Sequence, residues 1–122
     1  MSEHEKINYL EFPSHDLERT KAFFEGVFSW VFTDYGPEYT SFEGPGMQGG
    51  GGFYKANLAS KSSAGSALVV FYSDNLNQTQ AKIEAFGGVI TQPIFSFPGG
   101  SRFHFEEPCG NEFAVWTHDS DN

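Results

Sequence analysis

Offsetting the chain by 59 residues lays its first half on its second. Phe12 then falls on Phe71, Ser14 on Ser73, Leu17 on Leu76, Thr20 on Thr79, Ala22 on Ala81 and Glu25 on Glu84. The same order of elements recurs in both halves, and that constrains the fold more than any single motif does. A half of about 60 residues buries too little surface to hold a sheet alone, so two such halves are expected to share a core. The chain of 122 residues is accordingly read as one domain: module one over about 5–56, a polar Ser/Ala/Gly-rich linker over about 57–66, and module two over about 67–118.

In the first half, Ile7 to Phe12 alternates as a strand that Pro13 ends. Asp16 then caps a helix running from Leu17 to about Phe28, with Phe23, Phe24, Val27, Phe28 and Val31 at helical spacing. Weak strand character follows near Trp30 to Thr33, then strands at Tyr39 to Glu43 and at Gly49 to Tyr54, the latter opening on four glycines. In the second half, Ala67 to Tyr72 is an apolar strand, and Asp74 or Asn75 caps a helix to about Phe86 that Gly87-Gly88 stops. Val89 to Ile94, Ser101 to Phe105 and Glu112 to Thr117 read as strands. Each half is thus β-α-β-β-β, and the fold class is α+β.

Composition narrows the function classes. Seven Lys+Arg against 16 Asp+Glu give a net charge of −9, with no basic stripe to neutralise phosphates, so no nucleic acid and no membrane surface is expected as a partner. A single cysteine excludes an intramolecular disulfide framework and a multi-cysteine metal cage. The charged start, Met-Ser-Glu-His-Glu-Lys, lacks the apolar run of a signal peptide, and a cytoplasmic location is expected.

Two stretches carry a likeness to a known family. The run from Asn8 to Glu25, continued by Val27-Phe28-Ser29-Trp30, resembles the first strand and Asp-Leu helix start of the vicinal oxygen chelate superfamily, which includes glyoxalases, bleomycin-resistance proteins and extradiol dioxygenases. Glu107-Pro108-Cys109-Gly110-Asn111-Glu112-Phe113 is similar to its Asp-Pro-x-Gly-Asn turn before the last strand. The resemblance implies two modules forming a curved mixed sheet around a cup, helices on the outer faces, and a homodimer. It also implies metal-ligand positions, which fall on Tyr9, Leu68, Ala114 and the glycines near Gly51 or Gly52. None is a His, carboxylate or thiolate, so neither a metal nor another cofactor is expected.

Chemistry-bearing residues remain on the inferred cup face. Glu11 shares a strand face with Tyr9, and Glu112 shares one with Ala114 and Trp116, alongside Tyr72, Val70 and Leu68. These carboxylates either bind a cationic or hydroxylated ligand, or serve as a base, or lie solvated or paired with Arg102. Arg102, His104 and Glu106 alternate with Phe103 and Phe105. Arg102 suits a ligand carboxylate and His104 a proton relay, unless the three form the exposed face of an edge strand. Trp116 suits stacking on a ligand, whereas Trp30, Tyr35, Tyr39 and Phe53 read as core. His4, His15 and His118 read as solvent-facing, and Cys109 sits in a turn with no adjacent base. The glycine run lacks the Lys-Ser/Thr of a phosphate loop and reads as a strand leaving room for a ligand or for close chain approach.

The expected function is a metal-free, small-molecule-binding member of the glyoxalase-like group, with Tyr9, Glu11, Tyr72, Arg102, His104, Glu112 and Trp116 as contacts. The alternatives are a lyase, isomerase or dioxygenase-type enzyme with relocated metal ligands, and a structural dimer that binds nothing.

Overall fold

The structure is a computed structural model that describes residues 4–47 and 49–119. Among the described residues, eight strands and two α-helices follow the expected order: β1 Leu10–Ser14, α1 Leu17–Phe28, β2 Val31–Asp34, β3 Tyr39–Glu43, β4 Gly51–Lys55, then β5 Val69–Tyr72, α2 Leu76–Ala85, β6 Val89–Phe97, β7 Gly100–Glu106 and β8 Glu112–His118. A short 3-10 turn, Ser62–Ala64, lies between the halves. Each half makes its own mixed four-stranded sheet, in the orders β1-β4-β3-β2 and β5-β8-β7-β6. The first and last strands of each half pair in parallel, and the other pairings are antiparallel.

The 59-residue offset reappears as repeated hydrogen bonds. Asp16 accepts from Arg19 N–H at the start of α1 (3.3 Å), and Asn75, rather than Asp74, accepts from Gln78 N–H at the start of α2 (3.0 Å). Just upstream, the hydroxyls of Ser14 and Thr20 meet at 2.8 Å, and those of Ser73 and Thr79 at 2.7 Å. Gly87, at φ +95°, then lets Gly88 N–H return to Ile83 O and close α2.

Several element boundaries differ from the sequence expectation by one to three residues, among them the start of β1 at Leu10 rather than Ile7 and of β5 at Val69 rather than Ala67. Three differences have a clear physical reason. Pro13 lies inside β1 rather than ending it. Leu10 and Ser14 face β4 through backbone hydrogen bonds, so the backbone of the odd positions between them points away from β4, where no ladder partner is left waiting for an N–H. The strand expected from Gly49 begins at Gly51, because Gly49 and Gly50 sit at φ +86° and +92°. Strand β6 runs on to Phe97, passing Pro93 where the register with β7 shifts between Gln92 and Phe95.

One aromatic core runs through both modules. Phe24 of α1 stacks on Trp30 at 4.4 Å and meets Phe53 of the first sheet (5.5 Å) and Phe113 of the second (5.6 Å). Phe12 meets Phe113 at 5.2 Å, and Phe28 stacks on Phe71 at 4.4 Å. The α1 residues Thr20, Phe23, Phe24 and Val27 are buried at i, i+3, i+4 and i+7, which explains why this helix needs no help from propensity. Truncating Phe24 would cost about 3–5 kcal/mol. Strand alternation turns the opposite face of each sheet away from this core, and those two faces carry the polar residues of interest.

Candidate functional site

Rows across the second sheet follow from its register. Phe95, Arg102, Trp116 and Tyr72 are successive cross-strand partners on β6, β7, β8 and β5. The next row holds Gln92, His104, Ala114 and Val70, and Glu106 pairs with Glu112 beyond it. The structure therefore brings five of the expected residues onto one face: Tyr72, Arg102, His104, Glu112 and Trp116.

A line of hydrogen bonds runs along that face. Arg102 Nη2 donates to His104 Nε2 at 3.1 Å. A guanidinium can only donate, so Nε2 accepts and the imidazole proton sits on Nδ1, which faces Glu112 Oε2 at 3.3 Å. Oε1 of Glu112 accepts from both Ser62 N–H and Ser62 Oγ at 2.8 Å. The Ser62 amide, the Ser62 hydroxyl and His104 together hold the Glu112 carboxyl below its usual range. Glu112 thus pairs with His104 and Ser62, and the alternative pairing with Arg102 is not the one formed. Arg102 lies over the Phe95 ring, 6.0 Å from its centroid, and its buried Nε has no hydrogen-bond partner among the described residues. Tyr72 meets Trp116 edge-on at 5.2 Å.

The first sheet carries a separate cluster. Tyr39 Oη donates to Glu11 Oε2 at 2.9 Å, which leaves it to accept from Tyr9 Oη at 2.6 Å. Partial burial and then these two hydrogen bonds raise the Tyr39 hydroxyl above the ordinary tyrosine range. The pair lies over Gly52, where a Cβ would meet both hydroxyls. The room above the glycine run is therefore taken by the two tyrosines. At Gly50 and Gly51 the neighbouring Phe42 and Leu10 carbonyls approach too closely for any side chain. Tyr39, read as core from the sequence, belongs to this polar face. No hydrogen bond, ion pair or ring contact among the described residues joins Tyr9, Tyr39 and Glu11 to the Arg102–His104–Glu112 line.

Other expectations sort simply. His15 is exposed. His118, expected to face only solvent in the acidic tail, is the last residue of β8 and stacks on Tyr72 at 5.4 Å. Cys109 is buried, its Sγ 3.5 Å from Asp16 O.

Two features escape sequence reasoning. One is an apolar cleft of about 180 Å³ between the modules, lined by Ile7, Tyr9, Leu10, Trp30, Met47 and Phe71 among others. The other is Glu107, 2% exposed, which accepts from Cys109 N–H, from Asn111 Nδ2 at 2.9 Å and from Thr20 Oγ1 at 3.3 Å. Asn111 Nδ2 also donates to Pro13 O at 2.7 Å, and its Oδ1 accepts from Ser60 N–H at 2.7 Å. This network ties the turn before β8 to β1, α1 and the segment between the modules. Burial outweighs these hydrogen bonds and raises the Glu107 carboxyl above its ordinary value.

The metal positions implied by the resemblance carry Tyr9, Leu68, Ala114 and Gly51 or Gly52, a set without an anionic or imidazole donor. Among the described residues no group of three or more His, Cys, Asp or Glu side chains could hold an ion. These residues do not fit a divalent metal at those positions. No helix among the described residues is long and apolar enough to cross a membrane.

Solved structures of the same architecture are numerous. A glyoxalase/bleomycin resistance protein/dioxygenase family enzyme from Burkholderia phytofirmans PsJN is 14% identical with a TM-score of 0.75, over 92% of this chain and 98% of that one. The fosfomycin resistance protein FosX from Listeria monocytogenes is 15% identical with a TM-score of 0.75, over 94% of each chain. FosX from Mesorhizobium loti is 16% identical with a TM-score of 0.72, over 94% and 93%. Comparison with curated protein sequences finds no match. At such identities the likeness establishes the fold alone. The sequence model of one family, however, matches residues 6–115, nearly the whole chain: the protein belongs to the Glyoxalase/Bleomycin resistance protein/Dioxygenase superfamily.

Proposed function

We propose that this chain is a small-molecule-binding member of the superfamily that works without a metal at the superfamily's usual positions, and that its ligand lies on the outward face of the second sheet. The observation that carries the reading is the line Arg102–His104–Glu112–Ser62, set beside the Trp116 and Tyr72 rings on that face. It offers directed polar groups next to aromatic surface, the combination that orients and holds a small ligand. Fosfomycin resistance proteins of the same fold support it as precedent for small-molecule work.

The chain acts as a homodimer. Tyr9 (42% exposed), Val70 (41%) and Tyr72 (44%) leave apolar surface on both outward faces, which a second copy covers in part. Sedimentation analysis tests this: a dimer is expected, and a monomer at all concentrations contradicts it.

A thermal-shift screen of small metabolites, run with and without divalent ions, tests the binding reading. Specific ligands raise the Tm by mass action whether or not ions are present. Stabilisation that requires a stoichiometric divalent ion would contradict the metal-free reading, and would favour an enzyme with relocated ligands.

A further inference from the structure

Three of the Lys and Arg side chains among the described residues are not solvent-exposed: Lys21, Lys61 and Arg102. Lys21 is paired with Glu18 at 2.9 Å and Asp34 at 3.0 Å, and Lys61 with Glu106 at 2.7 Å. Arg102 has no carboxylate within 4.0 Å among the described residues, in a chain with 16 acidic residues. Its one hydrogen bond to a side chain goes to a neutral imidazole, and its Nε is buried without an acceptor. A half-buried guanidinium left this way is costly unless something else supplies negative oxygen. The neighbouring acids do not compete for it. Glu106 is held by Lys61, and Glu112 by Ser62 and His104.

Resting on the binding reading above, we infer that the ligand is a carboxylate carried on a flat apolar body. The carboxylate takes the free N–H donors of Arg102 as a planar fork, the geometry that a guanidinium matches and an ammonium does not. The guanidinium turns toward it and so satisfies Nε. The body lies along the same row of the sheet, against Trp116, the cross-strand partner of Arg102, and Tyr72 beyond it. The Phe95 ring, 6.0 Å from the guanidinium carbon, bounds the site on the other side.

Benzoate and its uncharged counterpart benzamide are the probes, followed by NMR of the Arg102 Nε–H and Trp116 indole N–H resonances. Benzoate is expected to shift both saturably, and benzamide at equal concentration to bind at least tenfold more weakly. R102Q is expected to lose at least tenfold in benzoate affinity, and R102K to recover only part of it. Unchanged Tm and backbone spectra show that the variants are folded. Equal binding of benzoate and benzamide, or undiminished binding by R102Q, overturns the carboxylate assignment while leaving small-molecule binding on this face intact. No saturable response to either probe overturns both. If R102Q instead dissociates a dimer and benzoate never binds, the guanidinium belongs to an interface and the inference fails.

Discussion

Arg102 Nη2 stands 3.1 Å from Nε2 of His104, and because the guanidinium brings only donors, this one contact fixes the imidazole as its Nδ1–H tautomer. Glu112, on the other side of the ring, accepts that proton's hydrogen bond at 3.3 Å. Nitrogen-15 NMR of the imidazole reads the tautomer directly. The neutral ring is expected to be Nδ1-protonated in the wild type and mixed in R102Q, where Nε2 has lost its donor. An Nε2–H tautomer in the wild type would show that the line of hydrogen bonds is broken.

The buried carboxylate of Glu107 makes a second prediction. E107A leaves the Cys109 N–H and one N–H of Asn111 without an acceptor in a site closed to water, at about 1–3 kcal/mol for each orphaned donor. Denaturant unfolding measures this. The pH dependence has a definite sign. A carboxyl whose value is raised on folding binds its proton more tightly in the native state. Its contribution to stability is therefore full below the ordinary glutamate range and is lost as pH climbs toward the raised value. The unfolding free energy of wild type minus that of E107Q is expected to fall over that climb. A difference that grows with pH would contradict the assignment.

Gly51 and Gly52 are neighbours with different duties. A methyl at Gly51 meets the Leu10 carbonyl and the Phe42 ring, which cannot withdraw without parting β1 from β4. A methyl at Gly52 first meets the tips of Tyr39 and Tyr9. G51A is expected to abolish folding or nearly so, whereas G52A costs about 1–3 kcal/mol, typical of overpacking that side chains can relieve. In G52A the Tyr39 hydroxyl, freed from Tyr9 and Glu11, should titrate closer to the ordinary tyrosine range. An ultraviolet titration of tyrosinate would show it. Equal losses in the two variants would argue against separate roles.

The strand and helix order was legible because hydrophobic spacing and the 59-residue offset report local geometry, and Ser14, Thr20, Ser73 and Thr79 even repeat their hydrogen bonds at that offset. Alternation also placed Arg102, His104 and Glu112 on the face of Trp116. What alternation cannot give is which neighbour a polar group chooses. Glu112 chose Ser62, fifty residues back in a stretch that reads as loose linker, and Tyr39 turned to Glu11 rather than into the core. Glu107 carries no sequence sign of burial, since its partner Thr20 meets it only once both modules are packed. The apolar cleft is likewise made by residues from both modules.

The most direct test of the central claim is where a ligand lands. Small metabolites that raise the Tm should be added to isotope-labelled protein and their amide and side-chain shift changes mapped residue by residue. The account predicts changes centred on Arg102, His104, Glu112 and Trp116, reaching Tyr72. Changes confined to Ile7, Leu10 and Met47 around the apolar cleft, with the second sheet's outward face silent, would contradict it.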